Sequence, residues 1–144
     1  MNIDSIRDGV VIDHISAGRG MRLYELLKLG DVVEHGASVA IIQRVASKKL
    51  GTKDIIKIDA DVPVNLDVIA YVDPSATVNI IRDGALAEKR VLALPERLVD
   101  VICCKNPRCI TTTEQELAHV FALADPVGPV YRCRYCETKA DLIR

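Results

Sequence analysis

Cysteine is missing from the first 102 residues of this 144-residue chain; all five, Cys103, Cys104, Cys109, Cys133 and Cys136, follow that point. The chain therefore reads as two pieces, only one of which is rich in sulfur. An excess of positive charge is missing too. Lys and Arg number 19 against 20 Asp and Glu, a net charge of -1, so the diffuse basic field behind non-specific nucleic-acid binding is excluded and any anion site must be local. No apolar run reaches the roughly 18 residues of a membrane-spanning helix. Met1-Asn2-Ile3-Asp4 has neither the basic start nor the apolar stretch of a secretory signal, which makes no membrane and a reducing cytoplasm the expectation. Neither glycine-rich phosphate motif, G-x-x-x-x-G-K-[ST] or G-x-G-x-x-G, occurs, and no internal repeat is visible. With 49% apolar and 27% charged residues, disorder and fibre are also excluded.

What is present alternates between β-like and helical patterns. Val10 to Ile15 is β-branched and apolar apart from Asp13 and His14, with Gly9 before it and Gly18 and Gly20 after, and it is predicted to be a strand. Met21 to Leu29 carries apolar residues at helical spacing, with Gly30 where a helix-ending glycine belongs. Ser38 to Val45 and Lys53 to Ile58 read as a hairpin around Lys48-Lys49. Pro63 to Tyr71 reads as a short helix stopped before Pro74. Ala76 to Arg82, the turn dipeptide Asp83-Gly84 and Leu86 to Leu94 read as two more strands. The order is βαββαβ plus one strand, a ferredoxin-like arrangement in which two helices cover one sheet face and the other is left for a ligand or partner. Leu94-Pro95-Glu96-Arg97 marks a linker, and the fold class is α+β: residues 1–95 form the ferredoxin-like domain and 96–144 a small zinc-binding β domain.

A tail of about 40 residues buries too little surface to fold well without a staple. Cys104-x4-Cys109 and, far along the chain, Cys133-x2-Cys136 supply one. Four thiolates at such spacing can close a tetrahedral site, which suits Zn²⁺ and leaves no open position for a catalytic water, so one structural zinc is expected. Turn-forming residues inside both pairs let backbone amides aim at the sulfurs. Val101-Ile102-Cys103-Cys104 reads as the end of an apolar strand, with Cys103 a small buried side chain.

Taken together, Gly9 to Ile15, Lys53 to Ile58, Ala76 to Asn79, Leu94 to Arg97 and the cysteine set resemble the regulatory chain of aspartate carbamoyltransferase, in order and over nearly the whole length. The resemblance, with the spacing, selects Cys104 over Cys103 as the zinc ligand. It implies a non-catalytic allosteric subunit that binds nucleoside triphosphates (CTP, ATP and possibly UTP) in its first domain. Its zinc domain would contact the catalytic chain of pyrimidine biosynthesis, three regulatory dimers bridging two catalytic trimers. No catalytic residue is assigned.

The resemblance also implies site residues. Asp13 serves the ribose and His14 the phosphates, Lys57 reaches ribose and base, Asn79 lies near the phosphates and Lys89 meets the triphosphate. Ile3 and Ile6 line the base pocket, and Ile81 and Leu86 complete its apolar wall. The family carries an aromatic residue and a longer side chain near Gly84-Ala85, which this sequence lacks, so the base contact there is expected to be through backbone. Physically, Lys57 and Asn79 occupy odd positions that can share a sheet face, whereas strict alternation puts Asp13 and His14 on opposite faces. One of the two is therefore expected at a strand end or acting through its backbone.

Two readings stay beside this one. Ser38 to Val45 can be a dimer edge or a core strand. Arg108, Arg132, Arg134 and Lys139 around the cysteines would suit a zinc-ribbon nucleic-acid module, although six Lys and Arg against five Asp and Glu from residue 101 onward give little net charge.

Overall fold

The computed structural model describes residues 6–49 and 51–140. The chain divides into two compact units, one ending at Ala93 and the other opening at Leu94. In the first, β1 (Gly9–Ser16), α1 (Gly20–Leu26), α2 (Leu29–Glu34), β2 (Ser38–Ser47), β3 (Gly51–Asp59), α3 (Leu66–Val72), β4 (Thr77–Arg82) and β5 (Ala85–Val91) follow in order. The five strands form one antiparallel sheet in the order β2-β3-β1-β4-β5. This is the ferredoxin-like topology with β5 added at one edge.

Pleating sorts the residues. Ile12 pairs with Ile56 and Val78, and Val10 with Ile58 and Ile80; Ile12, Ile56, Ile58, Val78 and Val10 are buried beneath Leu23, Leu29, Val68, Ile69 and Val72 of the helices. Burying side chains of this kind contributes about 1.5–3 kcal/mol each. β5 is exposed throughout. β2 is an edge strand with Val39, Ile41, Ile42 and Val45 half-buried.

The helices show where chemistry sets the ends. Asn65 caps α3, its side-chain oxygen accepting the N–H groups of Asp67 at 3.0 Å and Val68 at 3.4 Å. Asp73, extended at φ -156°, ends it before Pro74. The expectation of one helix ending at Gly30 needs correction. Lys28 is left-handed at φ 55° and divides the segment into α1 and α2, with Gly30 inside α2. Asp83 and Gly84, at φ 51° and 76°, make the tight hairpin turn between β4 and β5.

The second unit holds β6 (Arg97–Val99), the single turn α4 (Ile110–Thr113), β7 (Val120–Asp125) and β8 (Val130–Cys133), a three-stranded antiparallel sheet in the order β6-β7-β8. Leu98, Phe121 and Tyr131 are its buried apolar residues, and the Tyr131 hydroxyl donates to the Pro95 carbonyl at 2.7 Å. No strand runs through Val101 to Cys104. Asp100 is left-handed at φ 56° and ends β6 early, and Cys103 is exposed where a buried side chain was expected. Among the described residues, no helix is long and apolar enough to cross a membrane.

Candidate metal centre and ligand-binding sheet face

The two cysteine pairs, far apart in sequence, converge. Cys104 and Cys109 flank the turn at Asn106, whose side chain accepts the Arg108 N–H at 3.0 Å and whose carbonyl accepts the Cys109 N–H at 3.0 Å. Cys133 ends β8 and Cys136 follows on a turn closed by the Glu137 N–H on the Cys133 carbonyl, 2.8 Å. The four Sγ atoms lie within 4.8 Å of one another, Cys104 to Cys136 at 3.5 Å and Cys109 to Cys133 at 3.7 Å. A tetrahedron of sulfurs 2.3 Å from a central zinc has edges of about 3.8 Å, so the set fits one ion.

Backbone amides and hydroxyls surround these sulfurs. The Asn106 amide donates to Cys104, and the Tyr135 and Cys136 amides to Cys133. The hydroxyls of Thr111 and Thr138 lie 3.1 Å from Cys109 and Cys136. Burial pushes the Cys104 thiol up to about 12 and raises Cys133 as well, whereas the Thr138 hydroxyl and amide bring Cys136 down to about 6. A cation is the group that ionises the buried pair together with its neighbours. Bound zinc would have all four positions taken by sulfur, which makes it a structural cross-link.

The other candidate surface is the outer face of the five-stranded sheet, where most of the remaining residues singled out in the sequence lie. Across it, Lys57 and Asn79 both pair with Val11, and Lys89 pairs with Asn79, so Lys57, Val11, Asn79 and Lys89 form one row on four strands. Lys57 and Asn79 are half-buried, and Lys89 is exposed on β5. Two residues toward one end of that row, Asp13 pairs with Thr77. Two residues toward the other end, Ile81 stands between Gly9 and Leu86. A Cβ on Gly9 would strike the Ile58 carbonyl and come within 2.8 Å of Ile6 Cγ2, so the buried Ile6 lies against the glycine. Ile3 lies outside the described residues.

Asp13 and His14 do not take opposite faces. Between the pairs Ile12–Ile56 and Ile15–Asp54, β1 has two residues where β3 has one, and His14 stands at φ 58°. This bulge keeps Ile12 and Ile15 both inward and leaves Asp13 and His14 together outside. His14 Nδ1 lies 3.2 Å from Thr77 Oγ1. Asp13 accepts the His14 amide at 2.6 Å and pairs with Lys53 Nζ at 2.9 Å. Burial alone would raise the Asp13 carboxyl; the hydrogen bonds from Lys53 and the His14 amide, with the electrostatic effect of both side chains, outweigh it and hold it below its ordinary value.

Behind the bulge, Asp73 accepts the Ser16 amide at 2.6 Å, the Ser75 amide at 3.0 Å and the Ser75 hydroxyl at 2.6 Å. Its burial, which raises a carboxyl, is outweighed by those donors, and the group is held low. Lys53 and Thr77 are site neighbours that sequence reasoning passed over. Lys53 stands four residues before Lys57 on β3, an even separation that alternation places on the same face.

Two family models divide the chain between them. Residues 1–93 match the aspartate carbamoyltransferase regulatory chain, allosteric domain, and residues 96–142 the metal binding domain of the same chain. The chain belongs to the aspartate carbamoyltransferase regulatory chain family. Aspartate carbamoyltransferase regulatory chains of Clostridium tetani, at 47% identity over 95% of this chain and 94% of theirs, and of Bifidobacterium longum, at 41% over 99% and 100%, are similar to it. The corresponding chain of Clostridium acetobutylicum is 43% identical over 95% and 92%. As a regulatory chain it has an allosteric domain and a metal-binding domain, and Cys104, Cys109, Cys133 and Cys136 lie in the latter, where they fit one structural zinc.

Proposed function

We propose that the first domain binds a nucleoside triphosphate on the outer sheet face and that the chain passes this signal, as feedback, to a separate catalytic chain. The cross-strand row Lys57, Val11, Asn79 and Lys89 carries the reading. Two ammonium groups and an amide at one level, with the polar pair Asp13 and His14 on one side and apolar Ile81 and Leu86 on the other, suit a molecule anionic at one end and aromatic at the other. The Asp13 carboxylate suits ribose hydroxyls, His14 and Lys89 suit phosphates, and Lys57 spans ribose and base. CTP, ATP and UTP share this chemistry and would compete for the face. Ile3 and Ile6 keep their assignment to the base pocket as part of the same proposal.

Residues 1–95 then sense the nucleotide, and residues 96–144, held by zinc, report it. The chain itself performs no catalysis. Edge strand β2 supplies the surface for a regulatory dimer, and three such dimers bridge two catalytic trimers. An exposed free thiol at Cys103 beside a metal-binding thiol set favours the reducing cytoplasm.

An effector acts only through different affinities for two states of the assembly, typically worth about 1–3 kcal/mol. The test is to mix the full-length chain with catalytic trimers and record aspartate saturation curves with and without CTP and ATP. A larger assembly whose curve moves with nucleotide is the expected result. No assembly, or one indifferent to nucleotides, rejects the proposal.

A further inference from the structure

The two strands flanking β3 are each broken by a bulge at nearly the same level. In β1 the bulge is Asp13 and His14, opposite Ile55. In β2 it is Gln43 and Arg44, opposite Asp54, between the pairs Ile42–Ile55 and Val45–Lys53. The second residue of each is left-handed, His14 and Arg44 both at φ 58°. A residue other than glycine holds that conformation only where its surroundings impose it.

Two successive residues of β3 impose it here. Lys53 points outward to the Asp13 carboxylate, 2.9 Å away, which in turn accepts the His14 amide at 2.6 Å. Asp54 points the other way and is fully buried. Its carboxylate accepts the Arg44 amide at 3.0 Å, and the amides of Gly18 at 3.1 Å and Gly20 at 2.9 Å, on the segment that leads from β1 into α1. The fit is close on the helix side, since a Cβ on Gly20 would stand 2.9 Å from Asp54 Oδ2. One buried carboxyl group therefore joins the segment that follows β1, just past Asp13 and His14, to the edge strand β2. Neither an amide nor an apolar side chain can replace it fully, because three N–H donors converge on two oxygens.

We infer that Asp54 is a positioning residue: it anchors the segment that follows the β1 bulge, behind the Asp13 and His14 presented to the nucleotide, and ties that segment to the bulge of edge strand β2. This rests on the nucleotide reading above. Occupation of Asp13 and His14 is then felt at Arg44, on the strand where a second copy would pair, through a carboxylate that touches neither ligand nor partner.

The experiment compares the full-length zinc-loaded chain with Asp54→Asn and with Ile69→Ala, a core change in α3 that lowers stability without touching either bulge. Amide hydrogen exchange at Gly20 and Arg44 should quicken about tenfold in Asp54→Asn, and its CTP affinity should fall by roughly the same factor, as expected for loss of charge-assisted hydrogen bonds. CTP should slow exchange at Arg44 in the unaltered chain and leave it unchanged in Asp54→Asn. Ile69→Ala should bind CTP normally at temperatures where it is folded. Unchanged exchange at Arg44, unchanged CTP affinity, or an equal affinity loss in Ile69→Ala would overturn the inference. If the unaltered chain ignores CTP, the nucleotide reading fails, and the exchange data without ligand still decide whether Asp54 ties that segment to the β2 bulge. Should Asp54→Asn not fold, Gly20→Ala, which pushes on the carboxylate and keeps its charge, is expected to give the same pattern.

Discussion

Lys57 and Asn79 face the same residue, Val11, from the two strands on either side of it. That shared level turns a lysine and an asparagine 22 positions apart in sequence into neighbours on one polar strip, and Lys89 on β5 extends it.

Replacing Lys57 by Ala should weaken CTP binding roughly tenfold or more, since a charge-assisted hydrogen bond in a half-buried position is worth about 1.5–3 kcal/mol. Lys89→Ala should cost less, about two- to fivefold, because Lys89 is exposed on an edge strand and screened by solvent. Calorimetric titration of the assembled complex measures both. Assembly should survive in each variant, and normal CTP binding by Lys57→Ala would remove Lys57 from the site.

Removing the metal should unfold the second unit and leave the first. A structural zinc of this type contributes on the order of 10–16 kcal/mol of apparent binding free energy, far beyond what a unit of this size holds in its core. Chelation, or Cys109→Ser, should abolish association with catalytic trimers while exchange protection at Ile12, Ile56 and Val78 persists. Full retention of unit-two protection after chelation would show that Leu98, Phe121 and Tyr131 suffice without metal.

Acid should act on the first unit through Asp73. Because its carboxyl is held below the ordinary value, its contribution is complete above the unfolded value, about pH 4, and is lost as pH falls through the lower folded value. Asp73→Asn should therefore lower stability by about 1–3 kcal/mol at neutral pH and by much less at pH values below about 3. Denaturant melts followed across that range test this; a constant difference would show that the donors from Ser16 and Ser75 do not depend on the charge.

Gly9→Ala should destabilise the first unit by about 1–3 kcal/mol, the usual size of an overpacking penalty, because the added methyl meets the Ile58 carbonyl and Ile6. A thermal melt reads the stability, and nucleotide titration reads the displacement of Ile6. A neutral Gly9→Ala would mean that β1 and β3 separate readily at this point.

Much of this was legible in the chain. Alternation in Val10 to Ile12, in Lys53 to Ile58 and in Thr77 to Ile81 reports which residues share a face, because a strand's period of two is a local property. The cysteine spacing reports a metal knuckle for a similar reason: the turns at Lys105 to Arg108 and at Arg134-Tyr135 are short and self-contained. The bulge at His14 was not legible. Asp13 and His14 look like two ordinary strand positions, and the groups that meet them at the bulge, Lys53 and Thr77, are each brought from a distant part of the chain. The break at Lys28 and the early end of β6 at Asp100 have the same character, single left-handed residues without a glycine to announce them.

By itself, then, the sequence determined the order of strands and helices, the division between a part without cysteine and a part built on it, the two cysteine pairs that converge into one cluster and the family. Local periodicity and local spacing carry that information. Tertiary structure alone decided that Asp13 and His14 stand on the same face, that Cys103 is exposed, and that one buried carboxylate accepts from both β2 and the segment after β1. Those outcomes depend on which distant hydrogen-bond donors and acceptors meet once the sheet closes.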